Sequence, residues 1–459
     1  MATLRIGNGA GFWGDQLSAP VRLAEQGRLD CLTLEYLAEL TMSILALQQA
    51  KDPAAGFVTD FPPVVESLTE VLRTSPDLTV VTNAGGMNPQ GCAAAISPLL
   101  QAAGLGDLPV AVVTGDNLYP RIDTLLAAGE TLTHLDDGTD FSTVRSRLAA
   151  ANAYLGAEPI AQALAAGSRI VITGRVADAS LTVGPAMARF GWQPDDWDRL
   201  ATAAVAGHLI ECGAQVTGGM FSEHAPASSL ADIGYPIAEL DAEGRLVITK
   251  PPGTGGEVTV ATVAEQLVYE IGDPSAYLTP DVTACFADVR LEQEGPDRVR
   301  VTGARGLPRP ETLKVSMAYQ DGYLAAGTLV LAGPHCVQRA REAAQAVRQR
   351  MEQAGFPPAG FQAEVIGAGD LYPGGRETAD DPWEVTLRVA VRDPSRETVE
   401  RFTRELAPLV TSGPPGVTGY TGGRPRPRQV LSFWPATVRR ELVTAACEVR
   451  PAADWASRP

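Results

Sequence analysis

The residues best suited to chemistry cluster where short β-branched runs give way to glycine turns. In RIVITGRVADASL, residues 169–181, the run 170–173 reads as a buried strand. Gly174 and Arg175 follow it, and Asp178 precedes a helical pattern over 179–189. A carboxylate at such a strand end can move a proton, and an arginine there can bind a carboxylate or phosphate. Asp178 suits a helix N-cap equally well, and Arg175 and Asp178 suit an ion pair. Comparable strand ends carry Glu35 in TLEY, Asn83, Gly85 and Gly86 in TNAGGMNP, and Asp116 with Asn117 in TGDN. Glu35 and Asp116 join Asp178 as acid/base candidates, and Asn83 and Asn117 are candidate ligand contacts. The N–H groups of residues 83–86 precede a helix that Asn88 caps and Pro89 opens. They suit a phosphate or a thioester oxyanion, or else a tight strand–helix turn.

Gly9, Gly11 and Gly14 match G-x-G-x-x-G behind a strand at residues 4–6, with Asp30 or Glu35 near the place of a ribose-binding acid. NAD(P) is therefore a candidate cofactor. Asn8 stands where that fingerprint is usually apolar, and is itself a candidate ligand contact. A glycine turn that brings the backbone against a neighbouring segment explains the same pattern. Further along, a helix over 197–216 puts His208, Glu211, Cys212 and Gln215 on one face. His208 becomes a fourth acid/base candidate and Gln215 a ligand contact. H-x-x-E-C is not a zinc spacing and no second His/Cys cluster accompanies it, so no metal is assigned. A hydrogen-bonded buried helix face is the plainer reading. His134, His224 and His335 read as structural. The chain has no G-x-x-x-x-G-K-[ST] phosphate loop.

The elements that must position these residues alternate strand and helix through the first half. Strands are expected at 4–6, 30–35, 78–81, 110–113 and 170–173, with helices at 16–26, 36–50, 62–73, 160–166, 179–189 and 197–216. That alternation implies an α/β lobe with a largely parallel sheet, whose ligands bind beyond the carboxyl ends of the strands. Past Ser222 the pattern changes. Residues 222–334 read as β-rich, with PPGTGGEVT as a hairpin loop. Residues 335–459 read as a mixed α+β region. Residues 270–273 and 277–281 are candidates for a second edge to the cleft. Residues 411–427 read as a lid or a surface connection, and residues 451–459 as a frayed tail.

The charge balance of 37 basic and 54 acidic residues, net −17, argues against a nucleic-acid or anionic-membrane surface. Only Lys51, Lys250 and Lys314 are lysines, so Schiff-base chemistry has few candidates. Six scattered cysteines without a CxxC pair read as reduced thiols of a cytoplasmic protein. No signal pattern and no membrane-spanning run is evident. A homo-oligomer is the base-rate expectation.

Several segments taken together resemble the acyclic terpene utilisation AtuA family. They are GNGAGFWGD, YLAELTMSIL, TNAGGMNP, TGDNLYP, TGRVADASLTVGPA, GHLIECGAQVTGG, YEIGDPSAYLTPDV and TGGRPRPRQV, in that order from Gly7 to Val430. Some relatives carry an extra C-terminal domain, for which this chain is too short. The family name refers to breakdown of citronellol- and geraniol-type acids through CoA thioesters. The resemblance thus implies acyl-CoA chemistry, with a CoA thioester as substrate, but assigns no catalytic residue. The expectation is an enzyme acting on a branched acyl-CoA or carboxylic acid by lyase- or hydratase-type proton chemistry. An NAD(P) oxidoreductase and a non-catalytic subunit of an acyl-CoA pathway are the alternatives.

Overall fold

The computed structural model describes residues 3–223, 227–371, 382–418 and 422–456. His224 and residues 419–421 of the Gly/Pro-rich 411–427 stretch lie outside them. The chain forms two compact units, Met1–Ala318 with Phe433–Pro459, and Tyr319–Ser432.

In chain order the strands are β1 (Thr3–Asn8), β2 (Cys31–Leu34), β3 (Thr79–Thr82), β4 (Pro109–Thr114), β5 (Leu148–Ala153), β6 (Ile170–Thr173), β7 (Ile237–Asp241), β8 (Leu246–Thr249), β9 (Tyr277–Leu278) and β10 (Thr283–Cys285). They continue with β11 (Arg290–Gly295), β12 (Arg298–Thr302), β13 (Arg305–Leu307), β14 (Thr312–Ala332), β15 (Gly360–Ile366), β16 (Glu384–Asp393), β17 (Val417–Thr418), β18 (Arg428–Arg439) and β19 (Ala446–Pro451). The helices are α1 (Ala19–Gly27), α2 (Glu39–Lys51), α3 (Phe61–Thr74), α4 (Pro89–Ala102), α5 (Ile122–Ala127), α6 (Glu158–Ala165), α7 (Ser180–Phe190) and α8 (Trp197–Glu211). After them come α9 (Ala227–Ala231), α10 (Val260–Val268), α11 (Cys336–Gln353), α12 (Arg396–Phe402) and α13 (Leu409–Ser412).

The first unit is α/β. Its ten-stranded sheet runs β11-β12-β8-β7-β1-β2-β3-β6-β4-β19. The five central strands, β1, β2, β3, β6 and β4, are parallel to their neighbours in that group. They are the strands that alternate with helices in the sequence, because a parallel neighbour requires a crossover. The flanking strands are antiparallel: β7–β8 and β11–β12 are hairpins with short connections, β12 pairs with β8, β7 with β1, and β19 with β4. A smaller antiparallel sheet, β13-β10-β9, stands apart from this path.

Two segments depart from the sequence-based expectation. β5, LAAANA, is alanine-rich, and its extended form comes from pairing rather than from propensity. Of the tail expected to fray, residues 457–459 lie outside the described residues and the rest is docked: β19 lies on β4, and Trp455 is buried with its indole N–H donating to the Val110 carbonyl at 3.2 Å. In the 411–427 stretch, α13 and β17 are regular elements.

α8 is buried on nearly every side, and its small residues explain how. A Cβ at Gly207 would fall 2.6 Å from the Cα of Ala179, so α8 approaches the start of α7 backbone to backbone. That contact brings His208 and Glu211 beside the turn that follows β6. In the second unit, β15, β16, β14 and β17 form an antiparallel sheet, and α11 and α12 pack on it over an apolar core.

Candidate active site

A cavity of about 560 Å³ in the first unit is lined by residues that directly follow β1, β2 and β6, and by the last turn of α8. This is the volume range of small-molecule sites. Among its walls are Glu35, Arg175, Asp178, His208 and Gly11, five of the residues singled out from the sequence.

Arg175 is the centre of the charged wall. Only 2% of its side chain is exposed, yet its Nη1 donates to Asp178 Oδ1 and to the Leu37 carbonyl, each at 2.8 Å. Its guanidinium lies 4.1 Å over the Tyr154 ring. Burial opposes its charge, but Asp178, Tyr154 and Glu35 outweigh that and hold it protonated. The turn bearing it is fixed from behind. Asp116 Oδ2 accepts from the Arg175 N–H at 3.0 Å and from Asn152 Nδ2 at 2.7 Å. A Cβ at Gly174 would fall 2.5 Å from Asp116 Oδ1, so glycine is needed there.

Asp178 does not cap α7. The helix starts at Ser180, and its N-cap is Ala179, without a side-chain bond. Arg175 takes the carboxylate instead, because a buried guanidinium requires an anion more than a helix end requires a cap. A third of the Asp178 side chain remains accessible. Enclosure raises its proton affinity against the opposing pull of Arg175.

Glu35 lies behind this pair. Its Oε1 accepts from Asn83 Nδ2 at 2.5 Å and from the Leu37 N–H at 2.9 Å, while Oε2 is buried without a partner. Burial and then the Asp178 charge push its pKa well above the carboxylate range, against Arg175 and the two hydrogen bonds. An unpartnered buried carboxyl oxygen is far less costly when the group is neutral.

On the α8 side, both His208 nitrogens are engaged. Nε2 is 2.9 Å from the Gln266 carbonyl and Nδ1 is 3.1 Å from Glu211 Oε1. A carbonyl only accepts, so Nε2 carries a hydrogen, and Nδ1 and Glu211 share a further proton. Burial works against the His208 charge, but Glu211 outweighs it and raises the pKa. Burial raises Glu211 to about 7, with His208 opposing. His208 therefore orients Glu211, and is not itself open to a ligand.

Asn8, Gly9, Gly14, Asn83, Gly85, Gly86, Asp116, Asn117 and Gln215 do not line the cavity, and Gly11 reaches it from the same glycine turn. Asn8 donates to the Ile210 carbonyl at 2.8 Å and the Glu211 carbonyl at 3.0 Å, closing the carboxyl end of α8. Gly9 and Gly11 press against Pro20 and the Cys212 backbone. Asp15 and Asp60 hold that loop by accepting from the Gly11 and Gly14 N–H groups at 2.8 and 3.1 Å. In TNAGGMNP the N–H groups of Ala84, Gly86, Met87 and Asn88 all have partners inside the chain. Gly85 packs on the Thr173 carbonyl, and Gly86 adopts φ +51° against Leu45. These are the contacts of a tight turn rather than of an anion hole. Asn117 is exposed and accepts from the Tyr119 N–H at 3.0 Å. Gln215 leaves the His208 face because α8 ends at Glu211 and a 3-10 turn follows.

Glu39, Tyr154, Tyr277 and Lys314 also line the cavity, and no motif in the sequence announced them as a set. Tyr154 Oη donates to Glu39 Oε1 at 2.6 Å, and Lys314 Nζ lies 3.0 Å from the same oxygen. Burial opposes ionisation of Glu39, but these two partners win and hold it at about 2. Two signals were legible: Lys314, as one of three lysines, and Tyr277, in the 277–281 stretch expected to edge the cleft, where Glu270 of the 270–273 stretch also lies. Burial pushes Cys212 to about 12, so its thiol is no nucleophile at neutral pH. Among the described residues no group of three or more His, Cys, Asp or Glu is placed to hold a metal ion. Nor is any described helix long and apolar enough to cross a membrane.

Fold and cavity together define an α/β protein with a cavity at the carboxyl ends of a parallel sheet. The family described as acyclic terpene utilisation family protein AtuA matches residues 4–449, and the chain belongs to that family. No curated protein and no solved structure matches the chain.

Proposed function

We propose that this chain is an enzyme of branched or terpenoid carboxylic-acid metabolism, acting on the acid or its CoA thioester by lyase- or hydratase-type proton chemistry. The observation that carries the reading is Asp178. It is the carboxylate with raised proton affinity that keeps a third of its side chain open to the cavity while Arg175 fixes its other side. A general acid/base needs that combination of access, orientation and tuned affinity. In this scheme Asp178 takes a proton from the substrate carbon beside the carbonyl, and Glu211, with its carboxyl near 7, returns one to the departing oxygen. Arg175 holds the wall in register and balances the charge that develops. The substrate class rests on the family's description.

The test is solvent exchange. The protein is incubated in deuterium oxide with citronellic acid or citronellyl-CoA, and deuterium at carbon is followed by proton NMR. Exchange by the native protein, abolished in Asp178→Asn of unchanged fold, supports the reading. Equal exchange by the variant ends it.

A further inference from the structure

We infer that the cavity takes a compact aliphatic compound with a hydrogen-bonding head of at most one negative charge, an alcohol or free acid rather than a nucleotide-linked thioester. This rests on the acid/base reading of the same cavity and narrows its substrate. Two features carry it. The first is an apolar collar. Phe12, Leu135, Tyr269 and Leu278 line the cavity and yet are 59%, 50%, 39% and 66% exposed, so they stand where it meets solvent. Large apolar side chains held at a cavity mouth mark a place where apolar ligand surface is covered.

The second is the charge of the walls. Glu39, Asp178, Glu211 and Glu270 are the carboxylates that line the cavity, with Arg175, Lys314 and His208 opposite them, each bonded to one of the first three. Arg175 is bonded to Asp178, and Lys314 lies 3.0 Å from Glu39. An acyl-CoA with its acyl group on Asp178 would draw its phosphates past this mouth. It would meet apolar rings and the exposed Glu270 carboxylate there, with the one lysine already paired. A single carboxylate or hydroxyl meets no such opposition, and the collar grips the chain.

The experiment is titration calorimetry with citronellol, citronellic acid and citronellyl-CoA, which share one carbon skeleton. The alcohol or the acid is expected to bind more tightly than the thioester. In a series of shorter fatty acids, affinity should fall about fourfold for each methylene removed. Leu278→Asp and Leu135→Asp alter exposed positions, and each should weaken the acid about tenfold while the thermal melt stays unchanged. A thioester that binds as tightly as the acid, or no binding by either small ligand, overturns the inference. Binding is read without turnover, so the two readings fail separately. A collar-dependent acid without deuterium exchange removes the acid/base reading alone. Exchange that requires the thioester removes this inference alone.

Discussion

The turn after β1 and the turn after β6 use similar residues toward opposite ends. After β1, Gly9 and Gly11 let the backbone pack on Pro20 and Cys212, while Asp15 and Asp60 are consumed by the loop's own N–H groups. After β6, Gly174 makes room for Asp116, which anchors the turn, and Arg175 and Asp178 are left facing a cavity. Glycine at these two strand ends marks a close backbone approach. What separates the two turns is whether the charged group faces the cavity after its structural bonds are made. Asp178 does, and Asp15, engaged by Gly11, Gln16 and Tyr235, is part of the loop's framework.

The largest expected effect lies on the β6 side. Asp178→Asn should lower turnover per folded molecule by about 10²–10⁴-fold, and because it leaves the buried Arg175 guanidinium without its anion it should also lower the unfolding midpoint; kinetics and urea denaturation together separate the two effects. Intact turnover would erase the contrast between the turns. Arg175→Met leaves Asp178 and Glu35 without their cation and should cost about 3–5 kcal/mol of stability, read from the urea midpoint. A loss below about 1 kcal/mol would mean that the guanidinium is not what holds the wall.

The α8 side supplies a pH test. Glu211 binds its proton more tightly folded, at about 7, than unfolded, near the ordinary Glu value of about 4.3. The native state then holds more protons than the unfolded state across that window, so stability falls as pH rises from about 4.3 to 7. His208, raised as well, extends the loss in the same direction above its ordinary value. Glu211→Gln should flatten this slope, by an amount on the order of 1–3 kcal/mol between the ends. An unchanged slope in thermal melts would show that the pair does not share its proton as the geometry implies.

On the β1 side the expected effect is smaller and purely structural. Gly9→Ala puts a Cβ 2.9 Å from the Pro20 Cα and should cost about 1–3 kcal/mol while turnover per folded molecule is retained. Added nicotinamide cofactor should not restore the lost stability. If it does, the glycine turn is a ligand cradle after all.

Much of the fold was legible in the sequence because hydrophobic period and glycine punctuation are local signals. IVIT and TVVT are short β-branched runs and CLTL a short apolar one, and they form β6, β3 and the buried β2. β5 and β19 were not legible, since their extended form depends on partners distant in the chain. Within the site, Arg175, Asp178 and Glu35 stood out as charges at strand ends. Glu39, Tyr154 and Lys314 come from three separate stretches, and nothing local marks them as neighbours.

By itself, then, the sequence determined the alternation that makes the sheet's centre parallel, and with it the end of the sheet where a site forms. Those follow from chain geometry: a parallel strand needs a crossover, and strand ends collect the turns. Tertiary structure decided which polar groups remain available. Asn8, Asn83 and Asp116 have their hydrogen-bonding capacity taken up by α8, Glu35 and Arg175, and His208 has both nitrogens bound. Availability is what is left once every buried donor and acceptor has been satisfied, and that sum runs over neighbours no local pattern can name.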